Sequence, residues 1–230
     1  MENKYFLDLS ETPAERVFIV GEVNGDFDKF IGFLYEQSFN FKDILVLTGN
    51  CVNVAEPRKS SECIDFVMEN DNCYSVRGYQ ENLYIKYSQN EELMDKIHAD
   101  LRKNLTRPMI EFIKNLPLII KVMDYYYIVH AGIEPFADIL TQDPDVYYSI
   151  GEYDENSRFY QFQNPDKKNW YEYEFSQDEQ PIKIVYSALP PLGKHTVPAG
   201  YCLGRKHKIL DPLTCMILSK NSEPIIIEVR

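Results

Sequence analysis

The chain has 230 residues, 44% of them hydrophobic, enough for one substantial core and little room for a second. Its formal net charge of −12 opposes attraction to nucleic acid and to anionic membrane surfaces, both of which draw on clustered Lys and Arg. The longest apolar runs, such as Leu116 to Val122 and Ile225 to Val229, fall far short of the roughly 20 residues that span a bilayer, so a soluble protein is expected.

Met1 to Lys4 are polar and charged, and no apolar stretch follows before Val17. No ordinary secretory signal is therefore expected, and a cytoplasmic location is. Arg16-Val17-Phe18-Ile19-Val20-Gly21 is a short β-branched run stopped by glycine, the pattern of a buried strand. A helix should follow, capped by Asp26, with Phe27, Phe30, Ile31 and Leu34 on one apolar face. The pattern repeats. Ile44 to Thr48 reads as a strand ending at Gly49, Lys59 to Met68 as a helix, and Cys73 to Val76 as a third strand ending at Gly78.

From Glu81 to Asn115 the chain is charged with apolar positions at helical spacing, and Pro108 is expected to break that helical stretch. Leu118 to Met123 and Tyr125 to Val129 read as a tight hairpin about Asp124, followed by His130-Ala131-Gly132. Residues 136–180 are polar and tyrosine-rich and read as an irregular insertion within one domain spanning 1–230. Strands resume at Ile182 to Tyr186, Met216 to Leu218 and Ile225 to Val229. Cys51, Cys63, Cys73, Cys202 and Cys215 are odd in number and lack C-x-x-C spacing, which suits thiols of a reducing compartment.

Chemistry in α/β sheets gathers at the carboxyl ends of strands, where this chain carries a series of segments. They are Gly21-Glu22-Val23-Asn24-Gly25, Gly49-Asn50-Cys51-Val52-Asn53-Val54-Ala55, Arg77-Gly78-Tyr79-Gln80-Glu81, Val129-His130-Ala131-Gly132-Ile133-Glu134-Pro135 and Val185-Tyr186-Ser187-Ala188-Leu189-Pro190. In this order and at these separations they resemble the five motifs of the calcineurin-like metallophosphoesterases, especially the phosphoprotein phosphatase and diadenosine tetraphosphatase branch. That family writes them G-D-x-H-G, G-D-x-x-D-R-G, R-G-N-H-E, V-H-A-G-x-x-P and G-H-T-P.

The resemblance implies the family's α/β fold, a four-layer sandwich of two mixed β-sheets flanked by helices. It also implies a site at which active members hold two divalent metals and activate a hydroxide between them. Matched position by position, Glu22 stands for the first aspartate and Asn24 for the first histidine. Asn50 stands for the bridging aspartate, and Asn53 for the aspartate later in the second motif. Tyr79 replaces the metal-binding asparagine, Gln80 the general-acid histidine, and Ala188 the histidine of the last motif. His130, Arg77 and Glu81 are retained, Arg77 at the family's phosphoryl-contacting position.

An amide in place of the bridging carboxylate removes negative charge from between two dications, and Gln80 has no ionisable proton to donate. The expectation is therefore a catalytically inactive phosphatase-like protein, a pseudophosphatase, with no metal and no catalytic residue, acting as a module that binds a protein partner and neither nucleic acid nor membrane. One alternative is a phosphoesterase with a remodelled site holding one divalent ion such as manganese. In that case Gly193-Lys194-His195-Thr196 would return His195 to the place of Ala188, beside Glu22, Asn50 and His130. Another is a sensor that binds phosphate or a nucleotide through Arg77 without hydrolysing it; equally, Arg77 could form a buried ion pair with Glu22 or Glu81.

Overall fold

The computed structural model describes residues 5–89, 96–135, 137–149, 169–177, 180–188, 195–204 and 212–230. The chain opens with β1 (Phe6–Asp8) and β2 (Arg16–Val20), then alternates α1 (Phe27–Glu36), β3 (Ile44–Leu47), α2 (Pro57–Glu69) and β4 (Cys73–Ser75). Helices α3 (Tyr79–Ser88), α4 (Lys96–Asn104) and α5 (Arg107–Asn115) lead to the hairpin of β5 (Ile119–Val122) and β6 (Tyr126–Ile128). There follow α6 (Pro144–Ser149), a 3-10 turn at Trp170–Glu172, and strands β7 (Phe175–Gln177), β8 (Gln180–Tyr186), β9 (Thr196–Val197), β10 (Gly200–Cys202), β11 (Leu213–Ser219) and β12 (Ile225–Val229).

Two mixed sheets result. One runs β12-β11-β2-β3-β4, with β2, β3 and β4 parallel and β11 antiparallel to both its neighbours. The other runs β1-β5-β6-β8-β10-β9, with β7 also on β8; β6, β8 and β10 are parallel, and β5 is antiparallel to β6. Because strand side chains alternate between faces, β2 divides its apolar residues between two cores. Val17 and Ile19 face the second sheet, joining Val46, Ile120, Ile128 and Val185. Phe18 and Val20 face the helices, packing with Phe30 and Phe33 of α1 and Ile64 of α2. The far face of the second sheet buries Tyr127, Ile184 and Tyr186 against Val146 and Tyr147 of α6 and against Trp170. The order is helices, sheet, sheet, helices, the four layers implied by the motif resemblance.

Residues buried on both faces of β2 and β3 explain why these strands read as unbroken apolar runs. Each fully buried Phe, Ile, Leu or Val contributes roughly 1.5–3 kcal/mol through removal from water. Two details differ from the sequence expectations and a third agrees. Asp26 precedes α1 but makes no side-chain cap, because its carboxylate is drawn to Lys29 at 2.9 Å. The helical stretch is broken beside Pro108, between Asn104 and Arg107; Pro108 itself sits in the first turn of α5, where its missing N–H costs no intrahelical bond, behind Thr106 as N-cap. Within 136–180, the described parts include α6, the Trp170 turn and β7, so they are not wholly irregular; the rest of that insertion lies outside the described residues. No helix among the described residues is long and apolar enough to cross a membrane.

Candidate functional site

The carboxyl ends of β2, β3 and β4 lie at the same rim as those of β6 and β8. Cross-sheet bonds fix this arrangement: His130 Nδ1 lies 2.8 Å from the Thr48 carbonyl, and Ser187 Oγ lies 3.4 Å from that same oxygen. The segments after these strands therefore meet, and Glu22, Asn24, Asn50, His130, Ser187 and Ala188 are all buried there.

Their polar groups bond to one another or to nearby backbone. Asn24 Nδ2 donates to Glu22 Oε2 at 2.6 Å, and Asn24 N donates to the Asn50 carbonyl at 2.9 Å. Asn50 Oδ1 accepts from the Gln80 backbone N–H at 2.9 Å. Asn53 Nδ2 reaches the Asn24 carbonyl at 2.7 Å, and its Oδ1 accepts from Ala55 N at 2.9 Å. Asn24 and Asn50 both adopt left-handed backbone, with φ of 51° and 53°. Asparagine tolerates that conformation better than most residues, so at these two corners the amides serve the chain's path as well as the bonding.

Among the retained residues, Glu81 has the fullest set of partners. It is completely buried at the third position of α3, and its carboxylate accepts from Gly78 N at 2.8 Å, Asn50 N at 2.8 Å and Val52 N at 2.9 Å. It thus caps α3 while holding the loop after β3 against the loop after β4, and the helix N-terminus favours its negative charge. The spacing Gly78-x-x-Glu81 at a helix start is the sequence signal for the cap. The two bonds to the β3 loop have no local signal.

His130 points Nδ1 at a carbonyl oxygen, which only accepts, so in the neutral ring Nδ1 carries the hydrogen and Nε2 the lone pair. That tautomer suits a metal ligand, but the surroundings do not complete a site. Among the described residues no group of three or more His, Cys, Asp or Glu side chains is placed to hold a metal ion. Ala188 packs into the core beside the second sheet, its N–H on the His130 carbonyl at 3.0 Å. His195 does not join Glu22 and His130. Its Nδ1 faces the Cys202 carbonyl at 2.9 Å and its Nε2 faces Glu228 Oε1 at 3.0 Å, while Gly193 and Lys194 lie outside the described residues.

Two dications about 3.5 Å apart repel by roughly 20 kcal/mol at an effective dielectric of 20. A two-metal site needs several anionic ligands to offset that repulsion, and here Glu22 is the sole carboxylate among the positions matched to metal ligands, the retained Glu81 being taken up by three backbone N–H groups. The residues present do not fit the pair of metals that the motif resemblance implies.

Arg77 makes no ion pair with Glu22 or Glu81; its guanidinium lies over the Tyr5 ring, 5.9 Å from the centroid, and its Nε is buried without a hydrogen-bond partner. Burial pulls its pKa down, opposed by Tyr5, Tyr148 and Glu81. Tyr79, at the start of α3, lines a cleft of about 390 Å³ with Asn82, Lys86, Asp145 and Tyr148, so the described part of the insertion borders the rim through α6.

By sequence the chain matches no protein-family model and no curated protein. By structure it is similar to a putative diadenosine tetraphosphatase, with a TM-score of 0.72 at 19% identity over 98% of both chains. It is also similar to a protein serine/threonine phosphatase from Saccharomyces cerevisiae, with a TM-score of 0.56 at 14% identity over 98% of this chain and 82% of that one. A metallophosphoesterase from Sphaerobacter thermophilus gives a TM-score of 0.55 at 13% identity over 94% of this chain and 89% of that one. Two mixed sheets flanked by helices, with the described parts of the five segments at one rim, give this chain the fold of the calcineurin-like metallophosphoesterases.

Proposed function

We propose that this chain is a catalytically inactive phosphatase-like protein that serves as a protein-binding or regulatory module in the cytoplasm. The observation that carries the reading is the closed bonding of the rim: the amides of Asn24 and Asn50 bond to Glu22 and to the Gln80 backbone, where an active site would present free oxygens to metal. Without bound metal no group at the rim lowers the pKa of a water to generate hydroxide near neutral pH. Gln80 carries no ionisable proton for a leaving oxygen, which removes a second requirement of the family's reaction. The cytoplasmic assignment is supported by five cysteines that are all buried and none of which forms a disulfide, as a reducing compartment keeps them.

Hydrolysis assays supplied with manganese test the reading on p-nitrophenyl phosphate, a phosphopeptide and a dinucleoside polyphosphate. The expected outcome is no turnover above the buffer rate on any of the three. Robust turnover that His130→Ala abolishes contradicts it.

A further inference from the structure

At the opposite end of the sheets from the motif rim, the amino ends of β2 and β3 and the carboxyl end of β11 open into a cleft of about 800 Å³. Its floor is the end of the inter-sheet core, where Val17, Ile44 and Leu218 are buried. Its wall is aromatic. The Tyr125 and Tyr126 rings line it 4.5 Å apart between centroids and tilted by 32° to each other, and Tyr201, outside the lining, packs 6.4 Å from Tyr126. Tyr126 is buried and Tyr125 is 43% exposed, so the pair runs from the core to solvent.

The rim of this cleft is acidic. Glu11, Asp124 and Glu223 line it against a single base, Lys220, and among the described residues none of the four belongs to an ion pair. Burial, the bond to Tyr125 and nearby charge that includes Glu223 push Tyr126 up, so its ring stays neutral at physiological pH. Neutral tyrosine rings attract a cation over their faces, and carboxylates at the mouth attract it at range. Acids alone would suit many counter-ions. The paired tyrosine rings favour a cation with a flat or apolar body, which guanidinium and the lysine stem both offer.

We propose that this cleft binds a short arginine- or lysine-bearing segment of a partner protein. The volume holds several side chains, the three acids are spread over the β1–β2 connection and the β5–β6 and β11–β12 turns, and the protein's overall charge of −12 steers a basic segment towards it. The site is remote from His130 and Asn50 and does not depend on whether the motif rim is catalytic.

The test is fluorescence anisotropy with a labelled hexa-arginine peptide at physiological salt. Wild-type protein binds it, and the surface double variant Asp124→Asn with Glu223→Gln binds roughly tenfold more weakly. Tyr125→Ala weakens binding roughly threefold through the lost ring face. A control double variant, Glu36→Gln with Glu69→Gln, removes the same charge from exposed positions on α1 and α2 and shifts binding less than about twofold. Equal weakening by the two double variants would show attraction to net charge alone and overturn the proposal. So would no binding by wild type, or binding of spermine without binding of the peptide. Absence of phosphatase turnover has no bearing on any of these outcomes.

Discussion

Glu81→Ala is expected to lower the melting temperature by roughly 10 °C, which corresponds to about 3–5 kcal/mol for a domain of this size. The wild-type carboxylate satisfies three backbone N–H groups at once, on Gly78, Asn50 and Val52. Alanine leaves those donors without their acceptor in a fully buried place, and each such donor costs about 1–3 kcal/mol. Part of that cost is relieved where water enters the vacated volume. Glu81→Gln tests the charge separately: one amide oxygen cannot serve both groups of donors, so a loss of about 2–3 kcal/mol is expected. Differential scanning calorimetry reads both variants. A change below about 1 kcal/mol in Glu81→Ala would mean that the clasp between the β3 and β4 loops does not hold the rim together.

Gly78→Ala is expected to cost about 2–4 kcal/mol, although the backbone at Gly78 is extended and strains no residue. The obstacle is space. A Cβ at Gly78 would lie 2.4 Å from Asn50 N and 2.6 Å from Asn50 Oδ1, inside the contact between the two loops. Those atoms belong to backbone and to an amide already bonded to Gln80, so neither can swing aside as a flexible side chain would. Gly49, the partner in this contact, has φ of 87° and would place its own Cβ 2.7 Å from Gly78 Cα. Gly32→Ala is the matched control: nothing lies within 4 Å of its Cβ, and alanine in mid-helix stabilises by up to about 1 kcal/mol. Urea unfolding of the two variants should move the midpoints in opposite directions. Equal and small shifts would contradict the close loop packing.

The central strands were legible because β2 and β3 are buried on both faces and so are written as continuous apolar runs. The short strand β1 was not, since Phe6-Leu7-Asp8 carries no period of its own and is placed by parallel pairing with β5, more than a hundred residues away. Strands β9 and β10 likewise carry no sequence signal of their own: they are short, and Gly200 takes a φ of 148° against the backbone of β8. At the candidate site, motif order located the rim and identified the amides at matched positions. Sequence alone did not reveal how those amides are used. That Asn24 bonds Glu22, and that Asn50 accepts from Gln80, depends on two left-handed backbone corners that bring distant loops together. The cleft at the far end was equally hidden, because its acids come from three turns that only the closed sheets assemble.

The central claim concerns charge: the rim lacks the carboxylates that a pair of divalent ions requires. Isothermal titration of manganese into wild-type protein purified without chelator, with elemental analysis of the starting sample, measures it most directly. The expected result is no stoichiometric metal in the sample and no saturable heat up to roughly 100 μM free manganese, a range in which a Kd of 1 μM, about −8 kcal/mol, would be unmistakable. Two ions bound per chain, displaced by His130→Ala or Asn50→Ala, would contradict the account.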